Sequence, residues 1–229
     1  MFVAELCRAL GWPTALYERA GEDIRTLDFT AGQMNFESAW SLVGDDEDYA
    51  TNYRAFKAFN QDLADQYVEL LMMDSFCLNA DRHTNNYGIL RDIQSGQVLK
   101  MAPNFDNNIA LVSNGYDKRP RQPDLFGQLL AELEADEQAV SSYAQRHLLP
   151  RVTPDLIAKC CVQTGEAIDI AYIQQFVMAG YEQTPIPTLL APRHLQRRSL
   201  QSICVQAKEA AAKANIEKAD APSVEQELN

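Results

Sequence analysis

Residues 78–111 read LNADRHTNNYGILRDIQSGQVLKMAPNFDNNIAL, a pattern of loop, hairpin and second loop. Tyr87 to Arg91 is a short apolar run, Asp92 to Gly96 carries turn residues, and Val98 to Met101 is apolar again. Paired strands lie only about 5 Å apart, so a hairpin brings its two flanking loops together. Asp81 and Asn86 on the entering loop are therefore expected close to Asp106 on the leaving loop. Two Asp and one Asn converging in this way offer hard oxygen ligands, which suit magnesium and poorly suit zinc or copper.

The spacing sharpens that reading. Kinase catalytic loops set an aspartate five positions before a magnesium-binding asparagine, and a second aspartate follows a hairpin. Here Asp81 and Asn86 are five positions apart, and Asp106 follows twenty positions after Asn86. The pieces Asp81-Arg82-His83-Thr84-Asn85-Asn86 and Pro103-Asn104-Phe105-Asp106-Asn107 resemble the catalytic and metal-binding loops of the HipA-like serine/threonine kinases. The resemblance is strong in this stretch and loose over the rest of residues 1 to about 185.

It implies a protein-kinase-like C-terminal lobe, mainly α with a small β-hairpin. It also implies ATP with magnesium as cofactors, a toxin–antitoxin setting, and phosphoryl transfer to Ser or Thr of a protein. In that scheme Asp81 orients and deprotonates the attacking hydroxyl, while Asn86 and Asp106 hold the metal. His83 shapes the loop by accepting a backbone hydrogen bond, or stands near the cofactor. Asp81-Arg82-His83-x-x-Asn86 also resembles the loop of phosphoinositide kinases, but those follow the metal-binding aspartate with Phe-Gly. Here Phe105 precedes Asp106 and Asn107 follows it.

The resemblance divides the chain into residues 1–34, a remnant of an upper lobe and hinge; residues 35–190, the helical lobe with both loops; and residues 191–229, a C-terminal helix and polar tail. Residues 1–10 have helical periodicity with Phe2, Val3, Leu6 and Leu10 on one side and Gly11 as a stop. Glu5 is the acidic residue on that helix, hence the candidate partner of an ATP-binding lysine. No Gly-x-Gly occurs in the chain and its first lysine is Lys57. A glycine-rich cover and its lysine strand are therefore expected from an upstream segment or a partner. Phe2, Val3 and Leu6 are expected to face that missing part. Without it, a non-catalytic, pseudokinase-like binding module is the alternative.

Two strands are expected at Thr14 to Tyr17 and Ile24 to Phe29, around the turn at Gly21-Glu22-Asp23. A short helix is expected from Asn35 to Val43, with Phe36, Trp40 and Val43 on one face. Helices follow over Tyr53 to Phe59, Asp62 to Phe76, Leu125 to Leu133, Glu137 to His147, Pro154 to Thr164 and Asp169 to Tyr181. Pro185 to Pro192 breaks the helical pattern, and Arg193 to Asn215 resumes it with Arg193, Arg197 and Arg198 on one face. Between Asn107 and Pro123 the composition marks a loop. There Lys118, Arg119 and Arg121 are candidates for substrate binding and Ser113 for phosphorylation.

A formal charge of −12 argues against a nucleic-acid surface. Five cysteines at irregular positions show neither metal spacing nor a disulfide framework and suit a reducing cytoplasm. Glu5 and Arg8 spoil a signal peptide, and no apolar run approaches a membrane span.

Overall fold

The computed structural model describes residues 1–45, 48–111 and 125–191. Helix α1 (Phe2–Leu10) ends at Gly11, whose φ of 76° lets the N–H groups of Gly11 and Trp12 return to the carbonyls of Arg8 and Cys7. A two-stranded hairpin of β1 (Tyr17–Ala20) and β2 (Asp23–Thr26) follows. A three-stranded antiparallel sheet, β3–β4–β5, is built from β3 (Met34–Ser38), β4 (Gly88–Asp92) and β5 (Val98–Met101). Between β3 and β4 lie α2 (Trp40–Val43), α3 (Tyr49–Phe59) and α4 (Gln61–Cys77). After β5 come α5 (Leu125–Glu137), α6 (Ala139–Arg146), α7 (Pro154–Gln163), α8 (Ile170–Gln183) and α9 (Ile186–Leu190).

Helix α4 is buried over most of its circumference, above all from Leu70 to Cys77, so it is the element the other helices enclose. It packs against α3, α5, α6, α8 and β5. Tyr67 at its middle stacks among Phe56 and Tyr87 at centroid distances of 5.0 and 5.5 Å. Asn60 separates α3 from α4: its backbone is extended, and its side chain caps α4 by accepting the Leu63 N–H at 2.9 Å. Asp48 caps α3 in the same way, which starts that helix at Tyr49, four residues before the expected position.

Several sequence expectations need correction. Phe2, Val3 and Leu6 do not form an open face: they are at most 5% exposed, because α1 docks on α7 and α4. Trp12 stacks on Phe76 of α4 at 6.1 Å, so the start of the chain shares the helical core. Residues 34–38 form a strand, not the first half of a helix. They pair with β4 from Met34↔Asp92 to Ser38↔Gly88, and only Trp40–Val43 is helical. The sheet partner overrides a weak helical period. The β1–β2 turn falls at Gly21 (φ 71°) as expected, but the strands sit later and earlier than predicted. Thr14 instead bridges to Asn104. Helix α5 continues past Leu133 to Glu137, and α9 lies where a break was expected. The expected helix Arg193 to Asn215, with Arg193, Arg197 and Arg198, lies outside the described residues, as do Ser113, Lys118, Arg119 and Arg121. Among the described residues no helix is long and apolar enough to cross a membrane.

Gly88 is required at the β3–β4 seam, since a Cβ there would meet the Glu37 carbonyl oxygen at 2.1 Å and Ser38 Cα at 2.8 Å. Both are backbone atoms of a paired strand and cannot swing away. Gly88→Ala should therefore cost roughly 2 kcal/mol or more, at the scale of core overpacking, read as a lowered urea midpoint.

Asp65 on α4 makes a pH prediction. Its carboxylate accepts from Gln61 Nε2 (3.0 Å) and from Arg146 Nε and Nη2 (2.8 and 2.6 Å), and faces His147 Nε2 at 2.8 Å. Burial pushes its pKa up, but the bonds from Arg146, Gln61 and His147 outweigh that and hold it below the ordinary carboxylate value. A lowered folded-state pKa gives stability that is full above the unfolded pKa of about 3.9 and lost as pH falls through the folded pKa. Asp65→Asn should lower the melting temperature at neutral pH and flatten its decline below about pH 4. An unchanged acid limb in a melting-temperature series would show that Asp65 does not carry it.

Candidate active site

The loop after α4 is shaped by its own polar side chains. Leu78 takes a left-handed conformation (φ 51°) that ends the helix, and the Asn79 N–H returns to the Asp74 carbonyl at 3.1 Å. The His83 N–H then donates to the Asp81 carbonyl and the Asn86 N–H to the His83 carbonyl, at 3.1 and 3.0 Å. Asn86 Nδ2 donates to the Asp81 carbonyl at 2.6 Å, and His83 Nδ1 accepts the Asn85 N–H at 3.3 Å. The loop is stapled from within, and the Asp81 side chain is left exposed.

Its anchor is Arg82, whose side chain is wholly buried with that of Asp74. Arg82 Nε and Nη2 donate to the two Asp74 carboxylate oxygens at 2.9 and 3.0 Å. Nη1 donates to the carbonyls of Asn86 (3.0 Å) and Phe105 (2.9 Å). Nη2 also reaches Asn104 Oδ1 and Asn107 Oδ1, each at 3.1 Å. Burial alone would lower the pKa of Arg82, but the Asp74 carboxylate outweighs it and holds the guanidinium above its ordinary value. Asn79 Nδ2 adds bonds to Asp74 Oδ1 (3.2 Å) and Asn107 Oδ1 (3.4 Å).

Two loops expected to meet are thus joined, through Arg82. Asp81 and Asn86 stand in one loop, and Phe105, Asp106 and Asn107 in the other. Their outlooks differ. Asp81 opens onto a cleft of about 380 Å³ with His83, Thr84, Tyr49, Phe126 and Leu129. Asp106 and Asn107 line an open cleft of about 550 Å³ under the inner face of the β1–β2 hairpin, where Tyr17, Ile24 and Thr26 project. Asp106 adopts φ 54°, the left-handed region where its short side chain is tolerated. Among the described residues the buried Asn86 Oδ1 meets no hydrogen-bond partner.

Glu5 does not reach this site. Arg8, three residues on, binds it in an ion pair, and Glu5 lines neither cleft. His83 lines the Asp81 cleft and makes the scaffolding bond expected of it. Asp74 was missed as a site residue. Its signal was available: a lone carboxylate inside the buried run LLMMDSFC (residues 70–77) needs a cationic partner. The roles of Asn79, Asn104 and Asn107 had no comparable signal, because asparagines in loops usually serve turns.

No family model matches the chain, and no curated protein matches it. Its fold is nevertheless shared, coarsely, with solved structures. It superposes on the Helicobacter pylori proinflammatory kinase CtkA with a TM-score of 0.58 at 13% identity, covering 92% of this chain and 86% of that one. It also matches the Shewanella oneidensis HipA toxin–antitoxin system, in complex with HipB and operator DNA, with a TM-score of 0.54 at 14% identity. That match covers 80% of this chain and spans only 54% of the other. The chain therefore has a mixed α+β, kinase-like fold.

Removing one member of the Asp74–Arg82 pair leaves a buried charge without its counterion, a loss of ~3–5 kcal/mol. Arg82→Met should destabilise the chain on that scale in chemical denaturation. The double variant Asp74→Leu/Arg82→Met should recover much of the stability without restoring the loop junction. Equal stability of Arg82→Met and the unaltered chain would refute the assignment.

Proposed function

We propose that this chain is the loop-bearing lobe of a HipA-like kinase. On this reading it transfers the γ-phosphoryl group of ATP to a serine or threonine of a protein, with magnesium. The observation that carries the reading is the junction at Arg82, which joins the Asp81–Asn86 loop to the Phe105–Asn107 loop in a kinase-like fold.

The donor types of Asn86 and Asp106 suit magnesium. Asn86 Nδ2 is committed to the Asp81 carbonyl, so its orphaned Oδ1 is a neutral oxygen donor held in a fixed orientation. Asp106 adds an anionic oxygen. Among the described residues no three His, Cys, Asp or Glu side chains gather into a cage. Two protein oxygens, with phosphate and water completing the shell, is the arrangement magnesium favours. Bound magnesium would neutralise charge developing on the transferred phosphoryl group. Asp81, exposed in its own cleft, would orient the acceptor hydroxyl and take its proton. Asn86, bonded to the Asp81 backbone, would keep that carboxylate at a set position relative to the metal-holding loop.

The chain holds neither a Gly-x-Gly cover nor a lysine ahead of Lys57. On this reading, an upstream segment or a partner completes the phosphate clamp, and transfer by this chain alone is weak. One missing transition-state contact costs about 3 kcal/mol, two orders of magnitude in rate.

Two substitutions should fail differently. Asp106→Asn should weaken magnesium-dependent ATP binding, because it removes a charged ligand. Asp81→Asn should leave binding within about twofold and lower turnover by two orders of magnitude or more. Calorimetric titration of Mg–ATP, with transfer assayed in the completed assembly, checks both. Loss of ATP binding in Asp81→Asn as severe as in Asp106→Asn would overturn the roles.

A further inference from the structure

The Asp81 cleft carries information about what it accepts. Its walls divide by chemistry. The loop contributes Asp81, His83 and Thr84, and helices α3 and α5 contribute Tyr49, Phe126 and Leu129, with the Tyr49 and Phe126 rings 6.2 Å apart. All three apolar-side residues are only partly buried, so their rings and methyls face the opening. Trp40, 51% exposed, adjoins the same loop: its backbone N–H donates to the Thr84 carbonyl at 3.0 Å.

The charge of the lining is equally informative. Among the described residues of the lining, Arg82 is the one permanent cation, and that guanidinium is entirely buried, with Nε, Nη1 and Nη2 all donating to protein oxygens. No donor of Arg82 remains for a ligand phosphate. The fixed anion Asp81 faces the space, and Asp48 caps α3 directly beside Tyr49. A polyanionic acceptor, such as a phosphorylated inositol headgroup, would meet repulsion from Asp81 and, among the described residues of the lining, no available cation. A polypeptide hydroxyl flanked by a large apolar side chain meets complementary surface on both walls: a carboxylate for the hydroxyl and an aromatic–aliphatic pocket for its neighbour.

Building on the kinase reading above, we propose that the acceptor is a Ser or Thr on a neutral or basic polypeptide segment that seats an adjacent leucine or aromatic side chain against Tyr49, Phe126 and Leu129. The apolar residues select the segment, and the described lining offers a phosphorylated headgroup the Asp81 carboxylate and no available cation. Discrimination of this kind depends on the unfavourable encounter as much as on the favourable one.

Binding separates this proposal from phosphoryl transfer itself. The full chain would be titrated by fluorescence anisotropy with a labelled basic peptide carrying one Ser and a Phe close to it. The same peptide with Phe replaced by Ala or Asp, and soluble short-chain phosphatidylinositol bisphosphate, complete the set. The Phe peptide should bind at least ten times more tightly than its Ala and Asp versions and more tightly than the lipid. Phe126→Ala and the milder Leu129→Ser should each erase most of that preference. Leu148→Ala, at an exposed position lining neither cleft, should leave it intact. Melting curves for every variant check that the fold persists, and Leu129→Ser serves where Phe126→Ala unfolds. Equal affinity for the Phe and Ala peptides, tighter binding of the lipid, or no binding of any peptide would overturn the proposal. Mg–ATP titration and transfer in the completed assembly address the kinase reading separately: failure of both there, with peptide selectivity retained by the chain, would remove phosphoryl transfer and leave the peptide cleft.

Discussion

A guanidinium and a carboxylate with no water around either are held at the junction of α4, the Asp81 loop and the Asp106 loop. Taking such charges out of water costs several kcal/mol per ion even after relaxation, and only complete hydrogen bonding offsets it. Arg82 meets that condition. Its donors reach Asp74, Asn86, Asn104, Phe105 and Asn107, five acceptor residues drawn from three segments of the chain. A lysine, a compact charge with three donors, could not span them. The pair is therefore less a source of stability than a constraint on geometry, since any displacement of either loop would strand a buried donor or acceptor.

Asp106 is positioned by its neighbours on both sides. Phe105 sits against Phe29 (5.3 Å) and Phe36 (5.6 Å), which themselves meet edge to face at 6.0 Å. Asn107 is held in the polar junction by Arg82 and Asn79. With one neighbour gripped by aromatic rings and the other by amides, the residue between them is turned into the left-handed region and faces the larger cleft. The hydrophobic and polar halves of the loop act together, and strand β3 matters here because it supplies Phe36.

The two clefts differ in chemistry. The Asp106 cleft lies under the β1–β2 hairpin and offers oxygen donors, and the Asp81 cleft lies between α3, α5 and the loop and offers a carboxylate beside an apolar wall. Asn86 ties the two loops together: its Nδ2 donates to the Asp81 carbonyl, and its own carbonyl accepts from the arginine that anchors the Asp106 loop. The two loops, and the surfaces they present, thus belong to one hydrogen-bonded unit.

Much of this was legible in the residues alone. The hairpin of residues 87–101 is written in two apolar runs around a turn. The helical body is written in apolar periodicity, and Asp81, Asn86 and Asp106 stand out by their spacing. Those are local signals, set by backbone preference and side-chain period. Tertiary structure alone decided the rest. Residues 34–38 became a strand because β4 offered a partner, and Phe2, Val3 and Leu6 were buried because α7 lay against them. Glu5 was taken by Arg8, its neighbour on the helix. Asp74 found Arg82 because the turn at Leu78 folds the loop back onto α4. Spacing along a chain can show which residues share a face, but the partner of a buried charge is fixed by which segments the fold packs together.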